Sequence, residues 1–398
     1  MESKRKLNIA MICDPIGDYK AGVIVSTIRF AKLLQERGHT VIFIGANSGG
    51  EKGEGTFKGM RTYRYPGIPL PKSGGWHLAF PKVSELKRVF IKEEIDIVHI
   101  VLPMSGAISA IKAAKTLGIK IVAHSHSQPE NLFMDMPKFL QPILGGLWNR
   151  YLAWVYSKAG SIIYPSEMAH ELLSNLTRQG QFSAVVSNGI DTEEFRPLDI
   201  GDFNSRFAIP PGRSKLLFVG RLFPEKSIDT LIKALPAMKK QFGDAYVMIA
   251  GAGREREKLE RLSKELGVAD SVNFLGLISE EDKIRAYNAC DIFVLSSLAE
   301  LEGMVVLEAM ACGKPILVSN AKMSASRFFV RENGFLFESR NPADLASQAA
   351  KLLSNPHLRK EMGHQSILRS KEYDIRKSVD KLEEIYHSAL KDHAGVLS

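Results

Sequence analysis

Glu300 and Glu308 have seven residues between them in the run Ser297-Leu-Ala-Glu-Leu-Glu-Gly303-Met-Val-Val-Leu-Glu308-Ala-Met-Ala-Cys-Gly-Lys-Pro315. A helix starting near Met304 leaves Glu300 in the loop ahead of it and Glu308 about one turn inside. The first amides of such a helix lack intrahelical acceptors, so the backbone of Gly303, Met304 and Val305 can address an anion. Carboxylates before and beside that terminus accept from hydroxyls. The run suits a ligand with hydroxyls on both sides of a phosphate; taken alone, it would equally suit the wet face of an amphipathic helix. Arg221 and Lys226 follow an apolar stretch at 216–220. A guanidinium fork and an ammonium there can both point at one diphosphate and stabilise charge as a bond to it breaks. The sequence offers no Asp-x-Asp element to hold a metal for the same task, so no metal and no other cofactor is expected.

The elements that must position these groups read as short apolar runs alternating with helical patterns, the mark of parallel sheets wrapped by helices. One series of expected strands covers 7–13, 40–45, 97–101, 119–123, 162–164 and 184–186. A second covers 216–220, 246–250, 272–275, 292–295 and 316–318. The polar, Pro- and Gly-containing stretch 191–214 between them is expected to be a linker. The expectation is an α/β chain of two doubly wound, Rossmann-like domains, residues 1–195 and 200–375, with ligand at the carboxyl ends of the strands. Three further features fall at such ends. Gly22 lies in Tyr19-Lys-Ala-Gly-Val23, after the first run. His124 and His126 follow the run 119–123. Gly251-Ala-Gly253 follows 246–250, a partial Gly-x-Gly that lets backbone approach a nucleotide.

Three motifs carry a resemblance. The acidic run resembles the E-x7-E signature of the retaining glycosyltransferases of family 4, which have the GT-B fold. Val219-Gly-Arg221-Leu-Phe-Pro-Glu225-Lys226-Ser227 is similar to that family's Gly-Arg-Leu…Glu-Lys-Gly motif, and Ser187-Asn-Gly-Ile-Asp191 to its inter-domain turn. Their order and separations match, so the resemblance spans almost the whole chain. It implies two domains facing across a cleft: an acceptor-binding domain, joined by a crossover helix at about 376–398, and a nucleotide-sugar-binding domain. It implies a metal-independent hexosyl transfer with retention, by same-face attack in which the leaving phosphate takes the acceptor proton. It assigns Glu300 to sugar hydroxyls, Gly303, Met304 and Val305 to sugar or phosphate, and Glu308 to ribose. Arg221 and Lys226 go to the diphosphate, His126 to the neighbourhood of the reacting sugar, Gly22 and Gly253 to backbone approach, and Ile278 to the nucleobase loop 274–278. Two positions depart from the family: Ser227 stands where Gly is usual, and Glu302 where an aromatic is usual.

The acceptor leaves less trace. Segment 133–156 carries Phe139, Ile143, Leu147, Trp148, Tyr151 and Trp154 with Lys138, Arg150 and Lys158 close by. Such a mixture suits a helix lying in a membrane surface, and a helix apolar nearly all round suits burial as well. The region around His126-Ser-Gln-Pro-Glu130 resembles family members that glucosylate diacylglycerol. This points to a UDP-hexose donor and a membrane glycerolipid acceptor, the alternative being a soluble sugar, sugar phosphate or polysaccharide precursor. The formal charge of +9 is concentrated in the first half, which suits an anionic membrane surface, and no nucleic-acid-binding module is visible. Three scattered cysteines offer neither a disulfide framework nor a zinc spacing, and fit a cytoplasmic enzyme, peripheral on the inner face of the cell membrane. The run after Lys4-Arg-Lys6 is too short for a secretory signal and reads as a strand. A nucleotide-sugar epimerase and a non-catalytic nucleotide-sugar sensor remain as rivals of other classes.

Overall fold

The computed structural model describes residues 5–14, 22–47, 52–69, 77–126 and 136–391. The chain divides into two compact units, Met1–Asn188 with Arg376–Ser398, and Gly189–Ile375.

The first unit is built on a nine-stranded sheet. Its strands are β1 (Asn8–Ile12), β2 (Thr40–Asn47), β3 (Gly53–Phe57), β4 (Met60–Pro69), β5 (His77–Ala79), β6 (Ile97–Ile100), β7 (Lys120–His124), β8 (Ser161–Tyr164) and β9 (Phe182–Val185). Their order is β3-β4-β2-β1-β6-β7-β8-β9, with β5 on β4. The run from β4 to β9 is parallel, and β6 and β8 are buried at every position, as strands covered on both faces must be. The antiparallel strands β3 and β5 escape sequence reading because they lack an apolar run, β3 being almost wholly exposed. Helix Ser105–Leu117 stops at Gly118, which takes a left-handed φ of 71° and returns its N–H to the last turn. The last helix, Ile375–Lys391, adds its apolar face to this unit. Val379, Leu382 and Tyr386 are buried, and Glu383 meets His39 at 2.7 Å and also binds Arg37.

The second unit carries β10 (Ser214–Val219), β11 (Ala245–Ala250), β12 (Val272–Gly276), β13 (Ile292–Leu295), β15 (Ile316–Ser319) and β17 (Gly334–Phe337), all parallel, in the order β12-β11-β10-β13-β15-β17. A separate two-residue pair, β14 (Ala299–Glu300) with β16 (Met323–Ser324), lies in the loops beyond β13 and β15. Counting outward from β10, the chain first builds β11 and β12 to one side and then β13, β15 and β17 to the other. The crevice at that reversal is where open α/β sheets bind ligands.

Residues 191–214 are not the linker that their polarity suggests. Phe195, Phe203 and Ile209 are buried in the core of the second unit, and the break between units falls at Asn188–Gly189. Three apolar anchors outweigh the Pro and Gly between them. The unit's two ends are stitched together, Ile190 donating to the Tyr373 carbonyl at 2.8 Å and Ile375 donating to that of Ile190 at 3.0 Å. Gly189, with φ of 70°, lies so close to Ile375 that a Cβ would come within 2.6 Å of its Cα.

Candidate active site

The loops after β10 and β13 are neighbours because their strands are. Leu298 donates its N–H to the Glu225 carbonyl at 2.8 Å, and the Ser296 hydroxyl donates to the Lys226 carbonyl at 2.7 Å. These bonds bring Lys226 against Glu300 across 74 positions of sequence, in a short ammonium–carboxylate bond with both side chains largely buried. The diphosphate cation and the sugar-directed carboxylate proposed from sequence are therefore one ion pair at the topological reversal.

Arg221 stands in the same loop, bonded to the buried Glu225 at 3.2 Å and laid over the Phe223 ring at 4.7 Å, while 46% of its side chain stays open to solvent. Arg254 lies 5.0 Å over the same ring. Ser227 takes φ of 47°, a left-handed conformation that costs a side-chain-bearing residue energy and explains why this place favours Gly. Its hydroxyl is tied to that of Thr230 at 2.9 Å, and the loop is kept.

Helix Met304–Ala311 begins at Gly303. There φ is 95°, and a Cβ would lie 2.0 Å from the Ser326 hydroxyl, which itself donates to the Glu302 carbonyl at 3.0 Å. Only glycine fits. Met304 and Val305 open the helix as expected, and Glu302 is a buried carboxylate and not an open third ligand group.

Glu308 is also buried, at the centre of a set that sequence reading missed. It accepts from the Lys283 ammonium at 3.0 Å and the Tyr287 hydroxyl at 2.8 Å. Burial alone would lower the Lys283 pKa, but Glu308 and Glu280 outweigh it and hold it above the ordinary lysine value. Burial, reinforced by Glu308, pushes the Tyr287 phenol well above its usual range. The signal was present: Lys283 and Tyr287 are four apart, on one face of helix Glu280–Ala289.

Gly253 serves packing. Its missing Cβ would fall 2.3 Å from the Leu222 carbonyl oxygen, and that of Gly251 would fall 1.8 Å from the Gly220 oxygen. The pair of glycines thus lets the loops after β10 and β11 touch, and the sequence-based reason of nucleotide approach is not needed to account for them. Ile278 packs on the core while its neighbour Leu277 is exposed.

In the first unit, Gly22 opens helix Gly22–Glu36, and residues 15–21 of its loop lie outside the described residues. His126 follows β7 directly. Its ring stacks on that of His124 with centroids 3.9 Å apart, and His124 lies nearly parallel to His99 at 5.7 Å. Burial lowers the pKa of all three, with His99 adding to the effect on His126. After β1, Asp14 accepts from the Ser105 hydroxyl at 2.9 Å and the Gly106 N–H at 3.0 Å, and burial raises its pKa to about 6. It was not anticipated.

Comparison with known proteins decides the family. The profile described as Glycosyl transferases group 1 matches residues 200–369, and the one described as Glycosyltransferase Family 4 matches residues 21–194. The chain belongs to the group 1, family 4 glycosyltransferases. Membership sets aside the epimerase and sensor readings. Alpha-monoglucosyldiacylglycerol synthase of Streptococcus pneumoniae is 24% identical over 78% of this chain and 70% of its own length. D-inositol 3-phosphate glycosyltransferase 2 of Catenulispora acidiphila is 29% identical over 52% of this chain and 51% of its own. Sucrose-phosphate synthase of Thermosynechococcus elongatus superposes with a TM-score of 0.81 at 19% identity, covering 97% of this glycosyltransferase and 100% of the synthase chain. Anabaena HepE in complex with UDP and glucose gives 0.75 at 19% identity, covering 96% and 100%. These likenesses agree with the doubly wound units of the GT-B fold.

Proposed function

We propose that this glycosyltransferase moves a hexose from a UDP-hexose to the hydroxyl of a membrane glycerolipid, with retention and without a metal. The observation that carries the reading is the joining of Lys226 to Glu300 at the β10/β13 reversal, with Arg221 in the same loop. The bond from the anomeric carbon to the β-phosphate oxygen breaks, and one from that carbon to the acceptor oxygen forms on the same face. The departing phosphate oxygen takes the acceptor proton. Arg221 and Lys226 stabilise the diphosphate charge as it develops. Glu300 holds sugar hydroxyls, released by Lys226 in exchange for phosphate, and Glu308 accepts from the ribose. No side-chain nucleophile is required.

For the acceptor, helix Gln141–Tyr156 and the turn before it are split by burial. Leu152, Val155 and Tyr156 face the core, whereas Phe139 in the turn and Ile143 and Leu147 in the helix, each four residues from the next, are 72%, 58% and 60% exposed. Lys138 and Arg150 flank this stripe and are exposed. Phe133 lies outside the described residues. Entry of such a stripe into the acyl boundary gains about 1.5–3 kcal/mol for each large side chain fully buried, and the cations favour anionic lipid. No helix among the described residues is long and apolar enough to span a membrane. The proposed mode is that of a peripheral enzyme held by this stripe on the cytoplasmic face. The Streptococcus relative bears the name of a glucosyldiacylglycerol synthase, and its kinship supports the same acceptor class.

The test is to incubate the protein with UDP-glucose and vesicles of diacylglycerol and phosphatidylglycerol, with and without EDTA, and to read products by mass spectrometry. A glucosylated diacylglycerol formed in either case is expected. Transfer only to soluble acceptors such as inositol phosphate would overturn the lipid reading, and loss of activity to EDTA, restored by Mg²⁺, would overturn the metal-free one.

A further inference from the structure

A row of four rings runs through the first unit from its last helix to the first residues beyond β7. The Tyr386 hydroxyl, on helix Ile375–Lys391, lies 2.6 Å from Nδ1 of His99 on β6. His99 faces His124 across the β6–β7 pair, the planes only 10° apart, and His124 stacks on His126. His99 pairs in register with Val122, two positions before His124, so both imidazoles project from the same face of the sheet. Tyr386, His99 and His124 are buried, and Nε2 of His99 and of His124 has no hydrogen-bond partner among the described residues. The ring of His124 is thus held by stacking and closure, and among the described residues the tyrosine bond to His99 is the directional anchor of the row. Burying two imidazole nitrogens without partners is costly, and an apolar ring would pack as well without that cost.

We propose that Tyr386, His99 and His124 are positioning residues for transfer, a clamp by which the C-terminal helix fixes the ring orientation of His126. The proposal rests on the reading that His126 lies beside the reacting sugar. Tyr386→Phe keeps the packed ring and removes only the anchor. His124→Ala removes the stacking partner, and His124→Phe restores a ring without nitrogens.

The experiment has two arms on the full chain. In the first, imidazole C–H resonances are followed by NMR in protein labelled at histidine. Tyr386→Phe should shift the signals of His99, His124 and His126 together, and a change confined to His99 would overturn the clamp whether or not the enzyme's substrate is correctly identified. In the second, transfer from UDP-glucose to diacylglycerol vesicles is measured beside UDP affinity. Tyr386→Phe should lower kcat about five- to tenfold with KM for the donor and Kd for UDP within twofold. His124→Ala should lose more, and His124→Phe should recover most of that loss. Unchanged kcat in Tyr386→Phe and His124→Ala, or kcat and UDP affinity falling together, would overturn it. Absence of turnover in the wild type would sink the functional reading alone, leaving the spectra to decide the clamp.

Discussion

Around its proposed donor site the second unit carries ion pairs, Arg221 with Glu225, Lys226 with Glu300 and Lys283 with Glu308, whereas the first unit carries uncharged rings and a carboxyl drawn toward neutrality at the ends of β1, β6 and β7. The contrast follows the chemistry each is proposed to handle. A nucleoside diphosphate arrives with its charge and needs cations already in place, and in the resting protein Lys226 is balanced by Glu300, the carboxylate proposed for the sugar hydroxyls. A hydroxyl acceptor carries no charge, and a site for it can be dry and neutral. Reorganisation then falls to the donor side, where ammonium and carboxylate exchange partners, while the imidazoles only need to stay still.

The strongest way to break the comparison is to remove donor-side charge. Arg221→Ala or Lys226→Ala should lower turnover by about 10²-fold, the scale on which a stabiliser of developing charge is lost. Steady-state kinetics with and without EDTA reads this, and a loss under threefold would remove the diphosphate role.

The Glu308 set offers a smaller effect. Lys283→Met or Tyr287→Phe leaves a buried carboxylate short of a donor, at about 1–3 kcal/mol. Calorimetry should show UDP binding weakened about fivefold to tenfold. Unaltered affinity in both would mean that Glu308 does not need these partners to meet the nucleotide.

Acid sharpens the contrast on the first unit. The His99 pKa is pushed down to about 3 by burial, against an ordinary value near 6.5, so below that ordinary value the unfolded chain binds a proton that the folded one refuses. Stability is full above about 6.5 and is lost as pH falls toward 3. Asp14, raised to about 6, acts oppositely, losing stability as pH rises from the ordinary carboxylate range toward 6. His124 and His126 are lowered in the same way, so the three imidazoles outweigh Asp14. Urea midpoints should therefore fall between pH 7 and pH 5, and His99→Asn should reduce that slope by up to about 1.4 kcal/mol per pH unit. An unchanged slope would mean that His99 is protonated in the folded state.

The least effect is expected at Ser227. Ser227→Gly relieves the left-handed strain and loses one hydroxyl bond, so thermal unfolding should shift by no more than the equivalent of about 1 kcal/mol, with turnover kept. A tenfold loss of turnover would give the hydroxyl a role of its own.

What could be read from sequence follows from burial. Most of the parallel strands were legible because strands covered on both faces are continuous apolar runs, as Ile97–Ile100 and Ile292–Leu295 are, whereas the partly exposed parallel strands β4 and β17 were not anticipated. Exposed β3 left no such run, and 191–214 misled because three buried anchors are hidden among polar residues. Glu300, Glu308, Arg221 and Lys226 could be picked out by motif, but the pairing of Lys226 with Glu300 depends on β10 and β13 being adjacent, which no local pattern states. The packing reason for Gly253 could not be read from sequence, because a glycine's signal is the same whether a ligand or another loop comes close.

The division of labour between units is tested most directly by calorimetric titration of UDP into Glu308→Ala, Glu300→Ala and His126→Ala, with transfer measured on the same preparations. All three should lose transfer. Glu308→Ala alone should lose UDP affinity, by about tenfold, the other two binding it as the wild type does, because their partner is the sugar and not the nucleotide. Loss of UDP affinity in His126→Ala as large as in Glu308→Ala would contradict the account.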